Sequence, residues 1–179
     1  MRTNDLVLDT LGRVHELIPA ILGGLSADDL RWRPDASANP MGWLTWHFLR
    51  VEDDHLAGLV GVDQVWADGW SERFHLPYAA CAHGYGMTAD EVGAFTVEGP
   101  ELLIGYADAV WQQAQRIVAG LTDADYDRIV DTRWDPPVTL SVRMVSVMNE
   151  IAQHVGQVAY VKGLLERARG EDSGWKGHV

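Results

Sequence analysis

Glu150 and His154 stand four residues apart in Asn149-Glu150-Ile151-Ala152-Gln153-His154-Val155-Gly156-Gln157, within a last helix whose stripe is otherwise apolar at Met144, Val147, Met148, Ile151, Val155 and Val158. On a helix that spacing stacks the carboxylate and the imidazole one turn apart on the same face, with Gln157 continuing the polar stripe. Two such groups in an apolar setting are costly unless something satisfies them. A divalent metal is one such partner, because zinc takes His nitrogen and carboxylate oxygen, and its catalytic sites use three protein ligands with one position open. A buried hydrogen-bonded pair is the other reading of the same two residues.

The seven histidines supply candidates for a third ligand. His47 is a lone imidazole in Trp43-Leu44-Thr45-Trp46-His47, an apolar and aromatic setting. His55 is about 12 Å further along the same helix at the standard rise, so His47 and His55 cannot share one ion. Asp53-Asp54-His55 reads as a solvated or salt-bridged patch. His75 and His83, in a long loop, are placed to approach from above, whereas His15 and His178 have no supporting context. His-Glu-x-x-His, the zinc-protease pattern, is absent, and the twofold Glu-x-x-His of di-iron bundles is absent too. Any metal is therefore mononuclear.

The elements that must position these residues are helical. Val7, Leu11, Val14, Ile18 and Ile21 follow an i, i+4, i+7 rhythm that predicts a first helix from about Thr3 to Gly23-Gly24, with Pro19 predicting a kink or an early end. Leu25–Asn39 reads as a connection. Asn39 as N-cap and Pro40 at the first position open a second helix to about Val60, packed through Leu44, Phe48, Val51 and Leu59. From Gly61 to Met87 no periodicity is sustained, although Trp66, Trp70 and Phe74 at i, i+4, i+8 predict a helical turn folded over the rest. Thr88-Ala89-Asp90-Glu91 is a capping box for a short helix. Gly99-Pro100 opens a third long helix to Gly120, and Thr122–Pro137 reads as a connection. Thr139 then caps a last helix, about Leu140 to Arg169, which is apolar on most faces and is expected to be the most buried element. The fold class is all-α, a four-helix bundle with long loops between helices two and three and between helices three and four. One domain spans 1–170, and 171–179 forms a polar, flexible tail.

The bulk numbers bound the partners. The 179 residues carry a net charge of −12, which argues against nucleic acid and against anionic membranes, since both need a basic face. The single cysteine, Cys81, rules out an intramolecular disulfide and points to a reducing compartment. The N-terminus lacks a signal-peptide core and no apolar run is long enough to span a bilayer, so a cytoplasmic location is expected. The 47% apolar content is compatible with a homodimer.

Trp46-His47-Phe48-Leu49-Arg50-Val51-Glu52-Asp53-Asp54-His55 in the second helix, together with Glu150-x-x-x-His154-x-Gly156-Gln157 in the last, resembles the DinB-like superfamily. Arg31-Trp32-Arg33-Pro34 followed by Asn39-Pro40 adds to this. More narrowly, the motifs resemble the actinobacterial mycothiol-dependent branch, which includes maleylpyruvate isomerases and mycothiol S-transferases. The resemblance implies a four-helix bundle holding one divalent metal through His47, Glu150 and His154. Zinc is the first choice of ion, and nickel, iron or manganese also suits a mixed nitrogen and oxygen set. It further implies a transferase or isomerase in which a low-molecular-weight, mycothiol-like thiol attacks a small electrophile. Two other classes remain: a non-catalytic metal-binding bundle in stress response, and a metal-assisted hydrolase using bound water. Arg143 and Arg50 are candidates for gripping a substrate, each with a plain ion pair as its alternative, and Gln157 is a candidate for orienting a ligand. Trp43, Trp46, Trp66 and Trp70 are candidates for a pocket wall, with core packing as the default.

Overall fold

The computed structural model describes residues 2–171. Its helices are α1 (Thr3–Leu22), α2 (Ala27–Arg31), α3 (Met41–Val60), α4 (Trp70–Phe74), α5 (Ala89–Gly93), α6 (Pro100–Ala119) and α7 (Leu140–Ala168). Two short strands, β1 (Ile129–Asp131) and β2 (Val138–Thr139), pair antiparallel before α7. The expected tail lies outside the described residues except for Glu171. His178 falls there as well.

Four long helices form the bundle, as the periodicities predict, and their order follows from which side chains meet. Asn4 at the head of α1 donates to the Val118 and Leu121 carbonyls at the end of α6, and His15 stacks on Trp111, so α1 and α6 are antiparallel. His47 lies beside Glu150 and His154. At the far end Arg128, whose carbonyl accepts from Leu140 N, donates to Leu59 O. Hence α3 and α7 are antiparallel. Tyr106 meets Asp53, and Gln113 reaches the carbonyl of Asp63, so α3 and α6 run parallel. The order is up, down, down, up. Parallel neighbours need a connection that travels back along the bundle, which is why the segment from Gly61 to Gly99 is long.

Several local expectations change. Leu25–Asn39 contains α2, opened by a capping box in which Ser26 Oγ accepts from Asp29 N and Asp29 accepts from Ser26 N. Helix α3 begins one residue later than expected, with Pro40 rather than Asn39 at the cap and no side chain bonding there. The chain continues helically through Pro19 to Leu22, where Gly23 N donates to the Pro19 carbonyl. The expected single turn over Trp66–Phe74 is two pieces, a 3₁₀ turn at Val65–Ala67 and α4, broken at Gly69 in the left-handed region (φ 75°). Their rings still converge, with Trp66 centred 5.2 Å from Phe74 and 5.4 Å from Tyr106. The Thr122–Pro137 connection holds a 3₁₀ turn and β1.

The most buried helix is α3, not α7. Every residue from Met41 to Arg50 is buried, because α2, the long loop, α6 and α7 cover α3 all round. Gly42 allows a close approach: a Cβ there would lie 2.9 Å from Phe95 and 3.0 Å from the Leu30 carbonyl. Helix α7 packs on α3 and α1 through Met144, Val147, Ile151, Val155 and Val158 and leaves one side bare. Among the described residues, no helix is long and apolar enough to cross a membrane.

Candidate metal centre

His47 is buried at 7% exposure and its ring stacks on Trp43 at 4.8 Å and 13°. Its Nδ1 faces the backbone carbonyl of His83. A carbonyl only accepts, so Nδ1 carries the hydrogen and Nε2 the lone pair. Burial pushes the imidazole below its ordinary pKa, against the raising effect of the His83 carbonyl. The Nε2 lone pair lies 3.5 Å from Glu150 Oε1.

His154 is arranged in the same way from α7. Its Nδ1 lies 2.8 Å from Gln157 Oε1, an acceptor, so Nε2 again holds the lone pair. That Nε2 lies 2.9 Å from Glu150 Oε1. Two lone-pair atoms at that distance need positive charge between them, either a proton or a metal ion. The His47 and His154 rings sit 5.0 Å apart, edge to face. One donor atom from each of His47, Glu150 and His154 falls within 4.8 Å of the others. Small side-chain shifts would close these atoms on one ion at the ~2.0–2.2 Å bonds of zinc to nitrogen and oxygen. The donor chemistry and the two pre-set tautomers fit a divalent metal. The Glu150 side chain is 37% exposed, which leaves an approach from solvent.

The cluster depends on a loop that periodicity could not place. His83 approaches from above as expected, but through its carbonyl rather than its ring. Gly84 follows with φ +98°, and a Cβ there would lie 2.6 Å from His47 Nδ1 and 2.9 Å from Trp43. Only glycine lets this backbone press against the imidazole. The sequence signal was the glycine-rich composition around His83, which carried no register. His75 is elsewhere, ending α4 at φ 46°.

Gln157 orients His154, one of its two expected roles. Arg50 does not join the cluster. It is buried, donating to Gln64 Oε1 at 2.9 Å and to the Ala82 carbonyl at 3.2 Å, with its guanidinium over Trp66. Its acidic neighbour is Asp53 at 3.6 Å, not Glu52 or Asp54. Asp53 is not solvated, being 2% exposed. It accepts from Val65 N, Trp66 N and the Tyr106 hydroxyl, each at 2.8 Å. Burial pushes its carboxyl above the ordinary value, while these donors and Arg50 pull it down. Asp54 and His55 do meet, with His55 Nδ1 3.2 Å from Asp54 Oδ2. Arg143 is held by Asp131 at 2.9 Å, two turns from Glu150. Of the tryptophans, Trp43 walls the cluster, Trp46 and Trp66 are core, and Trp70 packs under Arg73.

His15 had no context in the sequence, yet it is buried with its Nε2 3.0 Å from Glu52 Oε2. Glu52 is wholly buried. This pair crosses the bundle diagonal, which only packing could reveal.

Comparison with known proteins agrees with this architecture. No curated protein matches the chain. A solved structure of a conserved protein from Enterococcus faecalis is similar to it, with 27% identity, a TM-score of 0.86, and coverage of 92% of this chain and 97% of that one. Residues 10–158, which include His47, Glu150 and His154, match the DinB superfamily, and the chain belongs to that family.

Proposed function

We propose that His47, Glu150 and His154 bind one divalent ion, zinc first, and that the site serves a transferase or isomerase reaction between a small mycothiol-like thiol and an electrophilic carbon. The observation that carries the ion is the meeting of two imidazole lone pairs and a carboxylate oxygen whose nearest approach is 2.9 Å. When bound, such an ion supplies Lewis acidity and turns a thiol into a thiolate at neutral pH.

The chain's own residues do the rest. The His83 carbonyl and Gln157 hold the two rings so that Nε2 of each faces inward. Trp43 covers one side of His47 and keeps water from that face. The exposed edge at Glu150 is the entrance. The thiol half of the reading is supported by the motifs in α3 and α7 that resemble the mycothiol-dependent branch. The mixed donor set also suits nickel, iron or manganese.

The test loads the purified protein with zinc, removes free ion, and measures bound metal and consumption of mycothiol with a halogenated arene. One ion per chain and metal-dependent thiol loss, both abolished in His154→Ala while folding is retained, is the expected result. Bound metal with ester hydrolysis and no thiol loss would replace the thiol reading with a hydrolytic one. Bound metal with neither activity would leave a binding bundle. Failure to retain any ion would end all three.

A further inference from the structure

The His83 carbonyl sets the tautomer of His47, yet the chain around it has little of its own to hold that carbonyl in place. It ends the stretch Ala79-Ala80-Cys81-Ala82-His83, which lies outside every helix and strand, with Ala79, Ala80 and Cys81 exposed. Side chains this small bury little apolar surface. The stretch is held instead by its carbonyls, from buried side chains beneath. Trp66 Nε1 donates to the Ala80 carbonyl at 2.8 Å, Arg50 Nε donates to the Ala82 carbonyl at 3.2 Å, and His47 Nδ1 meets the His83 carbonyl. Arg50 and Trp66 are themselves stacked, with the guanidinium carbon 4.7 Å from the indole centroid.

Arg50 holds the critical point of this series. It stands three residues after His47, one turn along the same side of α3, and it grips the carbonyl directly before the one that His47 faces. Successive carbonyls of an extended chain point to opposite sides. Those of Ala82 and His83 both turn to α3, so the backbone bends between them. The two peptide planes share the His83 Cα, and a rotation of the first displaces the second.

Charge balance for Asp53 is the alternative role for a buried arginine, and the distances show that it is not the whole role. Asp53 takes its hydrogen bonds from Val65 N, Trp66 N and the Tyr106 hydroxyl, each at 2.8 Å, while Arg50 stays 3.6 Å away. The short bonds of the guanidinium go to Gln64 Oε1 at 2.9 Å and to the Ala82 carbonyl. Gln64 is fixed in turn, donating to Asp54 Oδ1 at 2.7 Å. The guanidinium, 1% exposed, is thus aimed at the loop.

We propose that Arg50 is a positioning residue of the metal centre: by holding the Ala82 carbonyl it fixes the His83 carbonyl, and with it the Nδ1–H tautomer and inward lone pair of His47. This rests on the proposed metal site and not on the thiol half of that reading. It joins the closed cluster around Asp53 to the open one around His47 through a single turn of α3.

The test uses the full chain with three substitutions. Arg50→Lys keeps a charge beside Asp53 and loses the Nε donor. Gln64→Ala removes the acceptor that aims the guanidinium, leaves Arg50 beside Asp53, and carries the test if Arg50→Lys does not fold. Tyr106→Phe weakens the Asp53 cluster without reaching the loop carbonyls. The His47 tautomer is read in the metal-free protein by long-range proton–nitrogen NMR, above the range in which histidine titrates. Zinc affinity is read by competition with a chromophoric chelator. Arg50→Lys should lose the single Nδ1–H form of His47 and bind zinc about 10-fold more weakly, with Gln64→Ala shifted in the same direction. Tyr106→Phe should be less stable to urea and unchanged in both readouts. If either readout stays at the wild-type value in both loop-side variants, or moves as far in Tyr106→Phe, the role of Arg50 is overturned. A wild-type chain with the expected tautomer that retains no zinc would overturn the proposed function instead, because the tautomer is read without metal.

Discussion

Two polar clusters sit on α3 about two turns apart, and they are built differently. Around Asp53, each group finds partners: two backbone amides, the Tyr106 hydroxyl and Arg50 on the carboxylate, and Gln64 and the Ala82 carbonyl on Arg50. Around His47 the outward nitrogens of the rings are fixed by acceptors, and the inward ones face a carboxylate that cannot donate to them. The first cluster is complete within the chain, and it anchors the long loop to α3. The second is completed by a metal ion or by a proton between His154 and Glu150. Burial alone does not separate a structural polar group from a functional one; the hydrogen-bond count on each atom does.

The largest expected effect would break the comparison at its closed side. Asp53→Ala leaves two amides and a tyrosine hydroxyl unpaired in the core and Arg50 without its buried counter-charge, and should destabilise the metal-free protein by about 3–5 kcal/mol. His154→Ala, by contrast, should change it by no more than about 0.5 kcal/mol, since His154 and Glu150 are both partly exposed and water can solvate the carboxylate left behind. Urea unfolding of both metal-free variants checks this, and equal losses would show that the two clusters are alike.

A smaller effect sharpens the open side. Gly84→Ala forces a Cβ towards His47 Nδ1 from a backbone that disfavours any side chain. Gln157→Ala frees the His154 ring. Each should weaken zinc binding by about 10–100-fold, the usual scale for residues that orient a ligand, as read by competition with a chromophoric chelator. Unchanged affinity in Gln157→Ala would remove it from the site.

The smallest effect concerns a third, peripheral cluster. Arg133 and then Arg143 hold the Asp131 carboxyl well below the usual carboxylate range. A depressed acid contributes stability above its unfolded pKa and loses it as pH falls through the folded value. Asp131→Asn should therefore lower stability slightly at neutral pH and converge on the wild type in strong acid, as thermal unfolding across that range would show. A difference that grew on acidification would reverse the assignment.

Much of this was legible along the chain. Apolar spacing marked the four long helices, the capping box at Thr88 marked α5, and Glu150, His154 and Gln157 declared themselves by a spacing of three and four. These are short-range properties, set by helix pitch and by bonds between near neighbours. His47 could be singled out by its apolar setting, but its selection over the other histidines came from family likeness, because its partners are over a hundred residues away. Arg50 was misjudged for the same reason: helical phase placed it near His47, while its partners come from a loop and from α6.

The sequence by itself therefore determined the four long helices and which residues on α7 form a polar stripe. Tertiary structure alone decided that α3 is the central helix and that the bundle runs up, down, down, up. It also put the His83 carbonyl and Gly84 against His47, and left one side of α7 uncovered. Each of those rests on contacts between segments distant in sequence, whose geometry depends on how whole helices pack and not on any local pattern.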